Sequence, residues 1–274
     1  MEFETIILIV TLAFVGEFID SSMGMLYGTI LSPLLIILGY EPLVVVPSIL
    51  LSQACGGFVA SIFHHKFTNA SFRAKTINPK IIIKKLKEVG ITKSFKIGFS
   101  EDIKIVFIIS SLGIVSTILA VIFALSIPKW ALKSYIGVLV ILMGFILLSK
   151  RQFKFTWKKM LGIGILSSFN KGLSGGGFGP VVTTGQIIAG NNSKSSIAST
   201  TLSEVPICLT AFLTYFLING FSDWIFLSAL TLGSVIAAPL GALLTSKINE
   251  KRLRPILGTI TLILGIWTIY KIIF

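Results

Sequence analysis

The chain has 274 residues, of which 54% are hydrophobic and 13% are charged, and its mean hydropathy is +0.92. Soluble domains carry about twice this fraction of charged residues, so the composition argues against a soluble enzyme. Disorder is excluded, because the apolar content far exceeds what collapse requires. The apolar residues recur in stretches of about 20, the length of helix that crosses a bilayer core. The sequence therefore predicts an all-α polytopic membrane protein in the cell membrane.

The formal net charge of +13 is distributed in a way that favours membrane orientation over nucleic-acid binding. Most Lys and Arg residues lie between the apolar stretches, and we expect no nucleic-acid partner. Cys55 and Cys208 lie far apart inside apolar segments, where small packing residues are the favoured interpretation. The sequence predicts no metal site and no cofactor. The N-terminus lacks the basic region of a signal peptide, so we expect the first apolar stretch to be retained.

Eight apolar segments follow one another along the chain, at 5–38, 42–63, 103–126, 130–149, 157–190, 197–219, 224–246 and 255–274. Six have the length of a single membrane span. The segments 5–38 and 157–190 would each extend about 51 Å as helix, against a hydrocarbon core about 30 Å thick. Small and polar residues interrupt both, at 20–28 and at 170–180. Each long segment is therefore predicted to be two helical pieces that meet at a break.

The two breaks also indicate an internal repeat. A shift of 151 positions, the difference between 175 and 24, superposes glycines and serines of the two halves without a gap. The matched pairs are Gly24 with Gly175, Gly28 with Gly179, Gly39 with Gly190, Ser48 with Ser199 and Ser52 with Ser203. The chain is therefore predicted to consist of a first transmembrane repeat, 1–149, and a second, 150–274.

Loop charge predicts how the two repeats lie in the membrane. Three basic connections, 64–104, 150–159 and 247–254, should be cytoplasmic. Tracing the spans back from them places both ends of 5–38 outside and both ends of 157–190 inside. Each long segment must then be a hairpin or re-entrant loop, and the two repeats must be inverted relative to each other. Both chain termini are expected outside. Inverted repeats with broken helices are the architecture of secondary transporters.

The glycine-rich breaks are candidate anion sites. A helix that restarts after a break exposes unpaired N–H groups and the positive end of its dipole, and both favour an anion. Two breaks that enter from opposite faces could meet near the midplane. Close helix packing by small residues is the competing interpretation. The predicted substrate-binding residues of the breaks are Gly24, Gly28, Lys171, Ser174, Gly175, Gly176, Gly177 and Gly179.

Among the ionisable residues inside apolar segments, where charge is costly and usually functional, four stand out: Glu17, Asp20, Lys171 and Glu204. Asp20 and Lys171 are equivalent under the shift, so they could form a structural ion pair between the hairpin tips. Alternatively, Lys171 neutralises a bound anion while Asp20 handles a proton. Glu204, whose equivalent is Gln53, is the leading candidate for proton coupling, with Asp20 and Glu17 as further candidates.

Two pairs of serines stand at a spacing of four residues, so each pair lies on one helix face. Ser48 and Ser52 form one pair, and Ser199 and Ser203 form the other. We expect these two helix faces to line the cavity that holds the anion. The alternative is that the serines only form hydrogen bonds between helices. Thr183, Thr184 and Gln186 follow the second break and are candidates for further contacts to the ligand.

The twin segments Asp20–Pro33 and Ser167–Pro180, and above all Gly-Leu-Ser-Gly-Gly-Gly-Phe-Gly-Pro at 172–180, resemble the duplicated glycine-rich motif of the sulfite exporter TauE/SafE family. This family is also called the 4-toluene sulfonate uptake permease family. The resemblance covers the length and the two-half organisation, although the first motif lacks the triple glycine. It implies transport, commonly outward, of sulfur-containing oxyanions or organosulfonates such as sulfite or sulfoacetate, without ATPase machinery.

Three functions compete at this point. The first is a secondary anion transporter coupled to protons, with the bilayer and a small anion as partners and self-association left open. The second is a membrane-embedded enzyme acting on lipid phosphates, which would need a nucleophile or a clustered acid/base set at a lipid interface. The third is a passive anion channel, which would conduct without saturation. Sparse acidic residues inside apolar segments disfavour the enzyme.

Overall fold

A computed structural model gives the fold and describes residues 2–73, 99–124, 156–221 and 223–273, with the single positions 138, 141, 142, 145 and 148. Most of the predicted span 130–149 and of the basic connections 64–104 and 150–159 lies outside these residues, so those expectations stay predictions. The described ranges contain nine helices and no strand: α1 (Phe3–Met23), α2 (Tyr27–Ile37), α3 (Pro42–Lys66), α4 (Glu101–Ala124), α5 (Trp157–Ser174), α6 (Phe178–Ile188), α7 (Ser193–Asn219), α8 (Trp224–Lys247) and α9 (Glu250–Ile273).

The helices have the length and hydropathy of a membrane protein. Within the described residues, five are long and apolar enough to cross a bilayer: Phe3–Met23, Leu43–Lys66, Glu101–Phe123, Ser193–Asn219 and Trp224–Lys247. Many large apolar side chains, such as Phe58, Phe107 and Leu217, are exposed, while serines, threonines and charged groups are buried. This distribution is the one that a lipid environment requires, and the predicted all-α polytopic fold is confirmed.

Both long apolar segments are broken, as the sequence predicts. Gly24, with φ of 71°, ends α1, and Gly175, with φ of 70°, ends α5. Their N–H groups donate to the carbonyls of Asp20, at 2.6 Å, and Lys171, at 2.9 Å. This left-handed backbone favours glycine, which has no Cβ to clash. The returning helices α2 and α6 have 11 residues each, about 16 Å at 1.5 Å per residue and so half of a bilayer core.

The helix boundaries repeat along the chain with the shift of 151 positions. Helices α1 and α5 end at Met23 and Ser174, and α2 and α6 cover 27–37 and 178–188. Helices α3 and α7 begin at Pro42 and Ser193, and the glycines between these elements, Gly39 and Gly190, have φ of 97° and 99°. The repeat found in a few glycines and serines is therefore a repeat of helix lengths and turn conformations as well.

The two halves exchange a helix. Helix α8 packs against α1 and α3 of the first half, while α4 packs against α5 and α7 of the second. The contacts correspond in detail, because Ser234 of α8 donates to the Ser52 carbonyl at 3.0 Å and Ser110 of α4 donates to the Ser203 carbonyl at 3.2 Å. Helices α3 and α7 pack against each other at the centre. This packing holds the two breaks next to each other.

Candidate functional site

The two helix breaks meet in direct backbone contact. A Cβ atom at Gly28 would collide with the carbonyl oxygen of Gly175, and one at Gly179 would collide with that of Gly24. A Cβ at Gly176 would lie 2.9 Å from the Gly28 carbonyl oxygen. Gly24 and Gly28 belong to the first break and Gly175, Gly176 and Gly179 to the second, so each contact joins one break to the other. The glycines are therefore needed for close packing, and this packing also brings the beginnings of α2 and α6 to one place.

A small cleft lies at this junction. It is too narrow in this conformation to hold a water molecule. The residues that line it come from both breaks and from α3 and α7: Asp20, Leu26, Gly28, Thr29, Gln53, Lys171, Gly176, Gly177, Phe178, Gly179 and Glu204. Five of the predicted glycine and lysine positions and two of the predicted proton-coupling residues are among them. The structure therefore brings the sequence candidates together in a closed, polar cleft.

Lys171 is the centre of the polar contacts in the cleft. Its side chain is 1% exposed, and its Nζ lies 2.7 Å from Glu204 Oε1 in an ion pair. The same Nζ donates to Gln53 Oε1. Both partners come from the central helices α3 and α7, at equivalent positions of the two halves. A cation buried in this way interacts strongly with any anion that reaches it, because little water screens it.

Asp20 fills the beginning of α2. Its Oδ1 accepts from the Tyr27 N–H at 3.0 Å, and its Oδ2 accepts from Gln53 Nε2 at 3.2 Å. The carboxylate therefore caps the positive end of the α2 dipole. The direct Asp20–Lys171 ion pair considered from the sequence is not formed, since Gln53 lies between the two and Lys171 pairs with Glu204. The equivalent residues Asp20 and Lys171 thus carry opposite charges.

The other candidates lie behind the cleft wall. Glu17 is fully buried and accepts from Ser21 Oγ at 2.6 Å, one turn of α1 away from Asp20. Ser48 and Ser203 donate to carbonyls of their own helices, Val44 and Ser199, both at 2.6 Å. Ser52 bonds Tyr27 OH at 2.8 Å, and Ser199 donates to Gln186 Oε1 at 2.8 Å.

None of these serines lines the described cleft, contrary to the expectation from their spacing. The reason is physical, because a serine in a helix satisfies its hydroxyl with a carbonyl of the preceding turn or with a neighbouring helix. The side chain of Ser174 lies outside the described residues.

Three lining residues carry no obvious sequence signal. Thr29 accepts from the Gly177 N–H at 3.1 Å and so ties one break to the other. Phe178 is fully buried at the first position of α6. Leu26 has φ of 131°, in a region that favours glycine, and its equivalent in the second half is Gly177, with φ of 76°. The shift of 151 could have indicated the turn at Leu26, whereas its place in the cleft wall needs the structure.

The fold and the cleft together define a polytopic helical membrane protein with a buried charged site between broken helices, features that also occur in secondary transporters. The sulfite exporter TauE/SafE family matches residues 90–268, and the chain belongs to this family. It is 24% identical over 267 residues to the "Probable membrane transporter protein YtnM" of Bacillus subtilis (strain 168), which covers 91% of this chain and 79% of that protein. No solved structure matches the chain significantly. The protein is therefore a membrane transporter of the TauE/SafE type.

Proposed function

We propose that this transporter exports small sulfur-containing oxyanions, such as sulfite or organosulfonates, across the cell membrane, and that it has no enzymatic activity. The observation that carries the proposal is the buried ammonium of Lys171 at the junction of the two breaks. A lysine in the membrane interior is costly unless a function requires its charge. A small oxyanion offers several acceptor atoms to an ammonium and to helix N–H groups.

The anion binds at the beginning of α6 rather than of α2. Asp20 already accepts from Tyr27 at the beginning of α2, so that end is filled by a carboxylate of the protein. The beginning of α6 has Lys171 at the corresponding place, and Phe178 and Gly179 of its first turn line the cleft. The first N–H groups of a helix have no partner within it. One break therefore holds an internal anion, and the other accepts the substrate.

Proton coupling follows from competition for Lys171. Glu204 occupies Nζ in the present conformation, at 2.7 Å, so an arriving anion must displace it. A proton on Glu204 removes its charge and releases Lys171. Two buried carboxyl groups, Asp20 and Glu204, line the cleft together with this one ammonium, Glu17 is buried behind them, and unpaired buried charge is strongly destabilising. Anion binding therefore takes up a proton, and the two travel together.

The electrical potential favours export of such a complex. A divalent oxyanion with one proton carries a net negative charge, and each such charge gains about 2.3 kcal/mol per 100 mV when it leaves a cell that is negative inside. The two halves are inverted in the membrane, with the α2 end outside and the α6 end inside, and both termini are outside. The basic residues Lys158, Lys194 and Lys247, at the α6 end, support this orientation.

The test is flux of radiolabelled sulfite into proteoliposomes, with and without a pH gradient. The expected result is saturable flux that responds to the gradient and falls at least tenfold in Lys171→Ala, while the exposed-lysine control Lys66→Ala keeps it. Flux that rises linearly without saturation would establish a channel instead. Absence of flux together with hydrolysis of a polyprenyl phosphate would establish the enzyme, and either result overturns the proposal.

A further inference from the structure

We propose that a file of hydroxyl and amide side chains between α6 and α7, half-buried at Asn191 and buried beyond it, is the route by which the anion moves between the cytoplasm and the cleft. This file, called here the polar track, consists of Thr183, Gln186, Asn191, Ser196, Ser199 and Thr200. The inference rests on the proposed function, since it names the path to the same site.

Side-chain hydrogen bonds connect five of the six track residues, and Ser196 joins them through its carbonyl oxygen, which lies 3.4 Å from Gln186 Nε2. At the loop between α6 and α7, Asn191 Nδ2 donates to Gln186 Oε1 at 3.2 Å, and Ser199 Oγ donates to the same oxygen at 2.8 Å. The amide nitrogen of the same side chain, Gln186 Nε2, donates to Thr200 Oγ1 at 3.0 Å. The side chain of Gln186 thus spans the part of the track nearest to the loop between α6 and α7.

The inner end of the track reaches the break itself. Thr183 Oγ1 lies 3.0 Å from Thr200 Oγ1 and 2.9 Å from the carbonyl oxygen of Gly24, the residue that ends α1. Gly24 in turn contacts Gly179 of the cleft wall. Thr183, Gln186 and Thr200 are all 0% exposed, so this polar path runs through the protein interior. Hydroxyl and amide groups can replace part of the hydration shell of an anion that passes them.

The first half is apolar at three of the six equivalent positions. The shift of 151 matches Gln186 with Leu35, Ser196 with Val45 and Thr200 with Ile49. These three apolar residues are 0% exposed and pack in one cluster with Tyr27 and Leu31. The other three equivalents are Ser32, Tyr40 and Ser48, so the α2–α3 side has an apolar cluster where the α6–α7 side has Gln186, Ser196 and Thr200. Such a difference between two halves that otherwise match indicates that the two sides differ in the access they give an anion to the cleft.

The charged residues at the two ends also favour entry of the anion from the α6–α7 end. At the α6–α7 end, Lys194 Nζ donates to the Ser246 carbonyl at 2.7 Å, and Lys247 is exposed beside it. The acidic Asp102 at this end accepts from Ser195 Oγ and from the Ser71 N–H. At the opposite end, Glu41 and Asp223 flank the helix starts. Positive potential at an opening concentrates anions there.

Cysteine accessibility tests the route directly. In a background with Cys55→Ala and Cys208→Ala that keeps sulfite flux, Thr200→Cys is compared with its equivalent Ile49→Cys. Vesicles of known orientation receive a membrane-impermeant anionic methanethiosulfonate during turnover. The expected result is that Thr200→Cys is modified from the cytoplasmic side and that sulfite slows the reaction. Modification of Ile49→Cys but not of Thr200→Cys from that side, or no modification of Thr200→Cys at all, overturns the route.

A second pair of measurements separates transport from interhelical bonding. Loss of one hydroxyl contact inside a membrane protein is worth about tenfold in a rate or an equilibrium. We expect Thr200→Val to lower the maximal flux per folded protein about tenfold while sulfite binding in detergent is unchanged. Unchanged flux with a lower melting temperature would show that the track only joins the helices. Sulfite binding to Lys171→Ala is measured separately. Its loss would support the binding site even if the Thr200 variants exclude the route.

Discussion

Gln53 and Glu204 occupy equivalent positions in the two halves, and both contact the ammonium group of Lys171. Glu204 does so as an ion pair at 2.7 Å and Gln53 as a neutral acceptor, whose amide nitrogen donates in turn to Asp20 at 3.2 Å. The two halves therefore match in the position of their groups and differ in charge. Each half bonds its own pair, Asp20 with Gln53 and Lys171 with Glu204, and the Lys171–Gln53 contact joins the pairs.

We expect Glu204→Gln to uncouple transport from protons. The amide keeps the size of the side chain but removes the negative charge that competes with the anion for Lys171. Sulfite should then bind without uptake of a proton, so its flux should no longer respond to a pH gradient. Gradient-driven flux in proteoliposomes checks this. An unchanged response to the pH gradient in Glu204→Gln would remove Glu204 from the coupling.

Asp20 should show separate effects of charge and of hydrogen bonding. Asp20→Asn can still accept from the Tyr27 N–H, so the beginning of α2 stays capped, but a negative charge near the cleft is lost. We expect this variant to bind sulfite more tightly, with little change in thermal stability. Asp20→Ala also loses the cap, which costs about 1 kcal/mol. Calorimetric titration and thermal unfolding of both variants measure the two effects, and weaker binding by Asp20→Asn would contradict the assignment.

The glycine contacts between the breaks predict a large effect of one methyl group. Gly28→Ala places a Cβ against the Gly175 carbonyl and beside Lys171 Nζ at 3.2 Å. Overpacking of this kind costs about 1–3 kcal/mol, and it should displace the cleft and abolish flux. Gly162→Ala is the matched control, because nothing lies within 4 Å of its Cβ. The control should be neutral or stabilised by up to about 1 kcal/mol. Equal melting temperatures for the two variants would contradict the close contact.

The orientation of the two halves can be tested at one pair of equivalent residues. Glu41 and Asn192 precede α3 and α7 in the same way, as the N-cap residues of those helices. If the halves are inverted, Glu41→Cys should react with an impermeant maleimide from outside and Asn192→Cys only from inside. Labelling is measured in intact cells and in inverted vesicles, with Cys55 and Cys208 replaced by Ala. Reaction of both cysteines from the same side would exclude inversion.

The sequence was sufficient for the parts of the fold that depend on local chemistry. Apolar length predicted the spanning helices, and Gly24 and Gly175 indicated where the long segments break, because few other residues adopt their backbone conformation. The contact of Lys171 with Gln53 was out of reach, since these residues are far apart in sequence and meet through the packing of α3 against the second break. The serine faces misled for a similar reason. A spacing of four residues defines a helix face, but the neighbouring helix decides whether that face meets a cavity.

The measurement that tests the central claim most directly is calorimetric titration of the purified transporter with sulfite, in parallel with Lys171→Met and Lys66→Met. The account predicts saturable binding of one anion to the unaltered protein and to Lys66→Met, and no measurable binding to a folded Lys171→Met. Binding of unchanged affinity to Lys171→Met would contradict it, because the anion would then lie somewhere other than between the two breaks.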